Sequence, residues 1–173
     1  MQVFMKEEKT VFYPYSSWLK QRYGEKVYKL PVNLPVSCPN RCDGHGGCTF
    51  CSEKGTGFES VWQPASVTEQ MQHARDVVAK RYKARKFIAY FQNYTNTFMA
   101  MELFKAYLEE AAAFPDVVEI SVSTRPDCIR TDYLACLAEL QERTHVGINI
   151  ELGLQTANYH TLDRVHRGHG LAE

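Results

Sequence analysis

The sequence has no excess of either charge. Twenty Lys and Arg stand against twenty Asp and Glu, the formal net charge is zero and the pI is about 7.0. No overall field therefore argues for DNA or a membrane surface as a partner. No apolar run is long enough to cross a bilayer. The opening MQVFMKEEKTVFYPYSSW lacks the basic-then-apolar layout of a signal peptide, so a cytoplasmic location is expected. The cysteines are not spread along the chain as in a secreted disulfide scaffold. Four of the six (Cys38, Cys42, Cys48 and Cys51) crowd into fourteen residues. In an intracellular chain that crowding points to metal rather than to disulfides.

The spacing within the crowd carries chemistry. Nine residues separate Cys38 from Cys48 and two separate Cys48 from Cys51, in a glycine-rich loop. Three thiolates can hold three irons of a [4Fe–4S] cluster, leaving the fourth iron open to a ligand. An open coordination position distinguishes a reactive metal centre from a structural one. The rival is a closed, structural zinc site built from all four cysteines.

The rest of the chain alternates between the two hydrophobic periods. Residues 1–29 are aromatic and charged without a clear period and read as an N-terminal extension. LPVNLPV (30–36) reads as a strand whose prolines suit an edge. The loop 38–64 follows. Ser66 and Glu69 form a capping box that opens a helix with Val67, Met71, Ala74, Val78 and Tyr82 on one face. FIAYFQ (87–92) is a short buried-type strand, and a helix over about 98–113 carries Met101, Phe104, Leu108 and Ala111 inward. VVEISVST (117–124) alternates as a strand. Thr131 is positioned to cap a third helix with Leu134, Leu137 and Leu140 inward. VGINIELGL (146–154) is the fourth strand, and TANYHTLDRVHRG starts another helix. Strands alternating with helices imply an α/β fold with a parallel sheet, of about four strand–helix units. In every unit the polar residues gather just after the strand, at the edge where such sheets keep their sites, so the four clusters are expected to share one mouth.

The motifs then resemble a known group. The spacing of Cys38, Cys48 and Cys51, with Phe50 before the last cysteine, is similar to that of the Elongator catalytic subunit, a radical S-adenosylmethionine (radical SAM) enzyme. YGEKVYKLP, CPNR, GGCTFC, AYFQNYTNT, STRPDC, ELGLQTAN and RVHRGH resemble the bacterial YhcC/YtqA (MnmL-like) family of the radical SAM superfamily. The resemblance implies a partial (β/α) barrel of the radical SAM type. The family's members are longer, so residues 30–173 read as the N-terminal part of the core. It further implies a [4Fe–4S] cluster on Cys38, Cys48 and Cys51, and S-adenosylmethionine (SAM) as cofactor. The backbone around Phe50 would meet the adenine. Gln92, Asn93 and Thr95 stand where the superfamily binds the amino group of SAM. Ser123, Thr124 and Arg125 would reach its carboxylate or ribose, Glu151 would accept ribose hydroxyls, and Gln155 would hydrogen-bond nearby. The implied activity is reductive cleavage of SAM to a 5′-deoxyadenosyl radical for tRNA wobble-uridine modification, with flavodoxin or ferredoxin as reductant. Radical chemistry on a small molecule or a protein, and a non-catalytic zinc- or cluster-binding module, are the alternatives.

Several residues have plainer readings. Cys42 reads as a spare thiol of the loop. Cys128 is near the expected mouth but fits a small buried hydrophobe, and Cys136 fits a helix core. Arg125 could pair with Asp127, and Glu151 could be a satisfied buried carboxylate. Lys80, Arg81, Lys83, Arg85 and Lys86 read as a solvated helix end before they read as a phosphate contact. His45, His166 and His169 have no demanded role, though Arg167 and His169 belong to the block RGH.

Overall fold

A computed structural model describes residues 11–42, 44, 46–52 and 65–173. Residues 1–10 of the extension, His45, and residues 53–64 of the loop expected over 38–64 lie outside the described residues. The chain runs α1 (Tyr15–Tyr23), β1 (Val27–Val32), α2 (Pro39–Cys42), α3 (Val67–Tyr82), β2 (Lys86–Phe91), α4 (Met101–Ala112), β3 (Val117–Thr124), a short 3-10 turn (Pro126–Cys128), α5 (Thr131–Thr144), β4 (Gly147–Leu152) and α6 (Tyr159–Arg164). The fold is α/β. Four strands form one all-parallel sheet in the order β1-β2-β3-β4. Sequential strands that lie side by side and parallel need a crossover on one face, and α3, α4 and α5 provide it.

The sheet is two-faced. Leu30 and Val32 of β1, Phe87, Ala89 and Phe91 of β2, and Ile120 and Val122 of β3 pack against Met71, Phe104, Leu108, Leu137 and Leu140 of the helices. Each of these side chains larger than alanine contributes about 1.5–3 kcal/mol by leaving water. The alternate residues Lys29, Tyr90, Ser121, Ser123 and Glu151 meet one another on the opposite face through hydrogen bonds. Beneath them α1 sets Leu19 and Trp18 against Val27 and Ile88.

Local sequence signals act as expected at several points. The Ser66 hydroxyl accepts from Glu69 N–H at 3.2 Å, and the Glu69 carboxylate accepts from Ser66 N–H at 2.8 Å, which completes the capping box of α3. Val67 and Met71 of that helix are buried, and Ala74 and Val78 pack beside them. β1 is an edge strand, where Pro31 withholds no ladder donor that the sheet needs on both sides.

Other expectations shift. The first strand occupies Val27–Val32 rather than 30–36, so the boundary drawn after residue 29 falls inside it. It ends where the Asn33 N–H turns to the Gln70 side chain, at 2.8 Å. α4 starts at Met101 because Thr95–Phe98 form a turn closed by Phe98 N–H to Thr95 C=O. In α5 the inward row is Tyr133, Leu137 and Leu140, while Leu134 is 39% exposed. The Tyr133 ring packs against Phe104 and its hydroxyl bonds Met99 C=O, which rotates Leu134 to the outer side. Thr131 is the first residue of α5 rather than its cap, and the cap position is Arg130. Among the described residues no helix is long and apolar enough to cross a membrane.

Candidate functional site

The segments after all four strands meet at the carboxyl edge of the sheet and line one cavity of about 330 Å³. Cys38, Phe50, Cys48 and Cys51 come from the loop after β1, Gln92 and Thr95 from the turn after β2, and Ser123, Thr124 and Arg125 from the end of β3. Glu151 and Gln155 come from β4 and its continuation. Of the residues assigned to the cluster and SAM, Asn93 alone does not line it: its amide is buried and donates to Asn33 Oδ1 at 2.7 Å. Asn93 thus ties the second loop to the first. Asn96 does the same work toward β3, donating to Phe91 C=O at 2.8 Å and Ser123 C=O at 2.9 Å. No motif spacing marked Asn96 for that role.

The cysteine loop is built from two short turns. Cys38 C=O accepts from Arg41 N–H at 2.9 Å and opens the single turn α2, which starts at Pro39. Cys48 C=O accepts from Cys51 N–H at 2.9 Å and closes the second turn. α2 carries Asn40 and Arg41 toward the sulfurs. Each of the three sulfurs accepts at least one N–H: Cys38 Sγ from Arg125 Nη1 at 3.3 Å, Cys48 Sγ from Arg167 Nη1 and Asn40 Nδ2 at 3.4 Å each, and Cys51 Sγ from Arg41 Nη1 at 3.6 Å. Cys42, by contrast, is exposed and its sulfur faces Ser37 Oγ at 3.8 Å.

The block RVHRGH clamps this loop. Val165 C=O accepts from Thr49 N–H at 3.0 Å, and His166 C=O accepts from Asn40 Nδ2 at 2.5 Å. Gly168 lies at φ +74°, and a Cβ there would stand 2.4 Å from Asn40 Oδ1. Gly153 leaves room in the same way: a Cβ would come within 2.9 Å of Gln155 Nε2 and 3.1 Å of Arg167 Nη2. His169 is buried, with Nδ1 beside Gly170 C=O at 2.9 Å.

Two carboxylates are fixed by their partners. Glu151 accepts from Lys29 Nζ at 2.6 Å, Tyr90 Oη at 2.8 Å, Ser121 Oγ at 3.2 Å and Ser123 Oγ at 3.3 Å. Burial disfavours its charge, but Lys29 and Tyr90 outweigh that and hold its pKa below the ordinary value. Burial and the same hydrogen bond push Tyr90 up to about 12. Asp127 takes both Arg125 Nε and Nη2 at 2.8 Å, so the plain pairing expected for Arg125 is present alongside its contact to Cys38. Burial works against the Arg125 charge, and Asp127 and Cys38 more than restore it. Lys29 escaped sequence reasoning because it lies in the segment read as an extension. Burial, reinforced by Asp127, pushes the Cys128 thiol up to about 11. Cys136 is half-buried against the helix core.

Among the described residues no group of three His, Cys, Asp or Glu side chains is arranged to hold a metal ion. Cys38, Cys48 and Cys51 all line one cavity, and each sulfur has a hydrogen-bond donor. The basic run lies elsewhere. Lys80 and Arg81 end α3, Lys83 caps it, and Lys86 begins β2, at the sheet edge opposite the cavity. Lys86 pairs with Glu25 at 3.4 Å.

An all-parallel α/β sheet with one cavity at its carboxyl edge defines the class of this protein. No family model matches the chain. It is similar to the uncharacterized protein YtqA of Bacillus subtilis, with 40% identity over 154 residues, 87% of this chain and 47% of the relative. It is 39% identical to protein YhcC of Escherichia coli over 156 residues, 89% of this chain and 49% of that protein. An uncharacterized protein of Methanocaldococcus jannaschii is 30% identical over 164 residues, 94% of this chain and 50% of the relative. The chain thus spans about half the length of the curated relatives it matches. None of these names states an activity.

Proposed function

We propose that this chain carries the cluster- and SAM-binding half of a radical SAM enzyme of the YhcC/YtqA type, built as a partial (β/α) barrel and acting on the wobble uridine of tRNA. One observation carries the reading: Cys38, Cys48 and Cys51 line a single cavity with an N–H donor on every sulfur, and the residues assigned to SAM, Asn93 excepted, line the same cavity. The [4Fe–4S] cluster and SAM, when bound, would supply one-electron cleavage of a carbon–sulfur bond and a 5′-deoxyadenosyl radical. The protein's part is position and electrostatics.

Cys38, Cys48 and Cys51 would hold three irons and leave one open. Glu151, ionised and anchored by Lys29, presents a fixed negative charge to the cavity wall. Gln92, Thr95 and Gln155 offer polar groups around it. Phe50, 57% exposed, gives an apolar surface at the mouth. A site of this volume is within the ordinary range for small-molecule and cofactor cavities, roughly 300–1,000 Å³. The tRNA assignment rests on the motif resemblance alone.

Anaerobic reconstitution of the chain with iron and sulfide tests the cofactor. The expected product is brown, with about four irons per chain, and it converts SAM to 5′-deoxyadenosine under dithionite. Cys38→Ala, Cys48→Ala and Cys51→Ala should each abolish both properties, and Cys42→Ala should abolish neither. A colourless protein holding one zinc per chain would overturn the reading in favour of a structural module. Comparing tRNA nucleosides from cells with and without the full-length gene tests the substrate. Unchanged wobble uridines would remove tRNA from the proposal.

A further inference from the structure

We propose that Arg167 is a positioning residue that sets the reduction potential of the cluster through the sulfur of Cys48; this rests on the reading of the three cysteines as cluster ligands. Arg167 is 6% exposed and lines the cavity. A buried guanidinium is costly unless it is paired and hydrogen-bonded. Arg125, buried to a similar degree, has its carboxylate: Asp127 takes two of its nitrogens. Arg167 has none within ion-pair distance among the described residues. Its Nη2 donates to Gly153 C=O at 2.5 Å, its Nη1 to Cys48 Sγ at 3.4 Å, and its Nε has no partner among the described residues.

Among the described residues, the one group of potential negative charge that Arg167 touches is therefore a cysteine sulfur. Its position is imposed from both sides. Gly153 holds one arm of the fork, and the turn at Val165–Gly168 is tied to the cysteine loop through Thr49 and Asn40. Gly153 has no side chain that would displace the fork, since a Cβ would lie 3.1 Å from Arg167 Nη2. Arg167 thus delivers to a ligand sulfur an N–H and a positive charge that no carboxylate among the described residues pairs.

Hydrogen bonds to the sulfurs and local net charge are the levers that tune iron–sulfur potentials. Reduction adds negative charge to the centre, so a fixed cation favours the reduced form. Removing it makes reduction harder. The test is redox titration of the reconstituted chain with mediators, read by electron paramagnetic resonance of the reduced cluster and by iron content. Arg167→Met should lower the ratio of reduced to oxidised cluster at a fixed potential at least tenfold, which is 59 mV for a one-electron couple. Arg167→Lys, which keeps the charge, should recover most of that loss. Arg167→Gln, which keeps an N–H without charge, should behave like the methionine variant and replaces it should Arg167→Met fail to load iron. A wild-type chain that holds no cluster overturns the cluster reading and this inference with it. A wild-type cluster whose potential is unchanged in the neutral variants overturns this inference alone, as does a lysine variant shifted as far as the neutral ones.

Discussion

Replacing Gly168 with alanine should damage this protein more than a glycine substitution in a turn ordinarily does, and the excess can be worked from the structure. Gly168 and Gly24 both sit in the left-handed region, at φ +74° and +79°. Either Gly→Ala change therefore incurs a backbone cost of about 1–2 kcal/mol. Around Gly24, the C-cap of α1, a Cβ would meet nothing within 4 Å. At Gly168 it would stand 2.4 Å from Asn40 Oδ1 and 3.2 Å from Asn40 Cγ. Asn40 is 7% exposed and cannot swing into solvent without giving up its bonds to His166 C=O and Cys48 Sγ. Each such bond is worth about 1 kcal/mol net, and leaving a buried group unpaired costs about 1–3 kcal/mol more. Gly168→Ala should thus exceed Gly24→Ala by about 3–5 kcal/mol. Urea unfolding of the two variants beside the wild type, followed by circular dichroism with a shared slope, reads the difference. A difference below about 0.5 kcal/mol, within the scatter of ordinary surface substitutions, would refute the view that the RVHRGH turn is packed against the cysteine loop.

Three further outcomes follow from the same contacts. Ser66→Ala removes half of the capping box and should cost about 1 kcal/mol by the same unfolding assay; no loss would mean that the Glu69 arm alone holds the end of α3. Cys128, with its thiol pushed up to about 11 from 9.0 by burial and Asp127, should carry about a hundredfold less thiolate near pH 8 than an ordinary cysteine. Mass-spectrometric alkylation should then find Cys128 far slower than the exposed Cys42, and equal rates would contradict its burial. The folded-state pKa of Glu151 lies below its ordinary 4.5, so its contribution is present above that pH and lost as pH falls through the folded value. The stability gap between wild type and Glu151→Gln should hold at neutral pH and fade below about pH 4.5, within about 1 kcal/mol because the pair is partly exposed. A gap that stays constant down to pH 3 would exclude the Lys29 pairing as its source.

The parts of the fold written in one local window were legible in the sequence. The period of α3 and its Ser66–Glu69 start, the alternation of VVEISVST, and the crowding of four cysteines each sit within a few neighbouring residues. The shared mouth could be inferred as well, because parallel strands put every following loop at one edge. What could not be read depends on partners distant in the chain. Lys29 looks like one more charge in a charged segment until β4 brings Glu151 to it, 122 residues away. Asn93 and Gln92 are adjacent and both polar, yet one faces the cavity and the other turns to Asn33, and no spacing rule separates them. The mistaken inward position of Leu134 has the same origin. A helical period allows either neighbour of the row, and only the contact of Tyr133 with Phe104 and Met99 chooses.

The two-faced sheet explains why so many of these long-range partners are polar. Parallel sheets are usually apolar on both sides because helices cover both. Here the helices α3, α4 and α5 cover one face, and the other carries Lys29, Tyr90, Ser121, Ser123 and Glu151. That polar row ends at the cavity, where Glu151 is its last member. A carboxylate has about four lone-pair sites, and Glu151 already accepts four hydrogen bonds within the protein. A cofactor hydroxyl therefore cannot simply be added to it, as the expected ribose contact would require. It must displace a donor, and the longest of the four, Ser123 Oγ at 3.3 Å, also lines the cavity. The face that would be a cost in an ordinary parallel sheet thus keeps one carboxylate ionised and in place, with a single weakly held partner on the side where a ligand would enter.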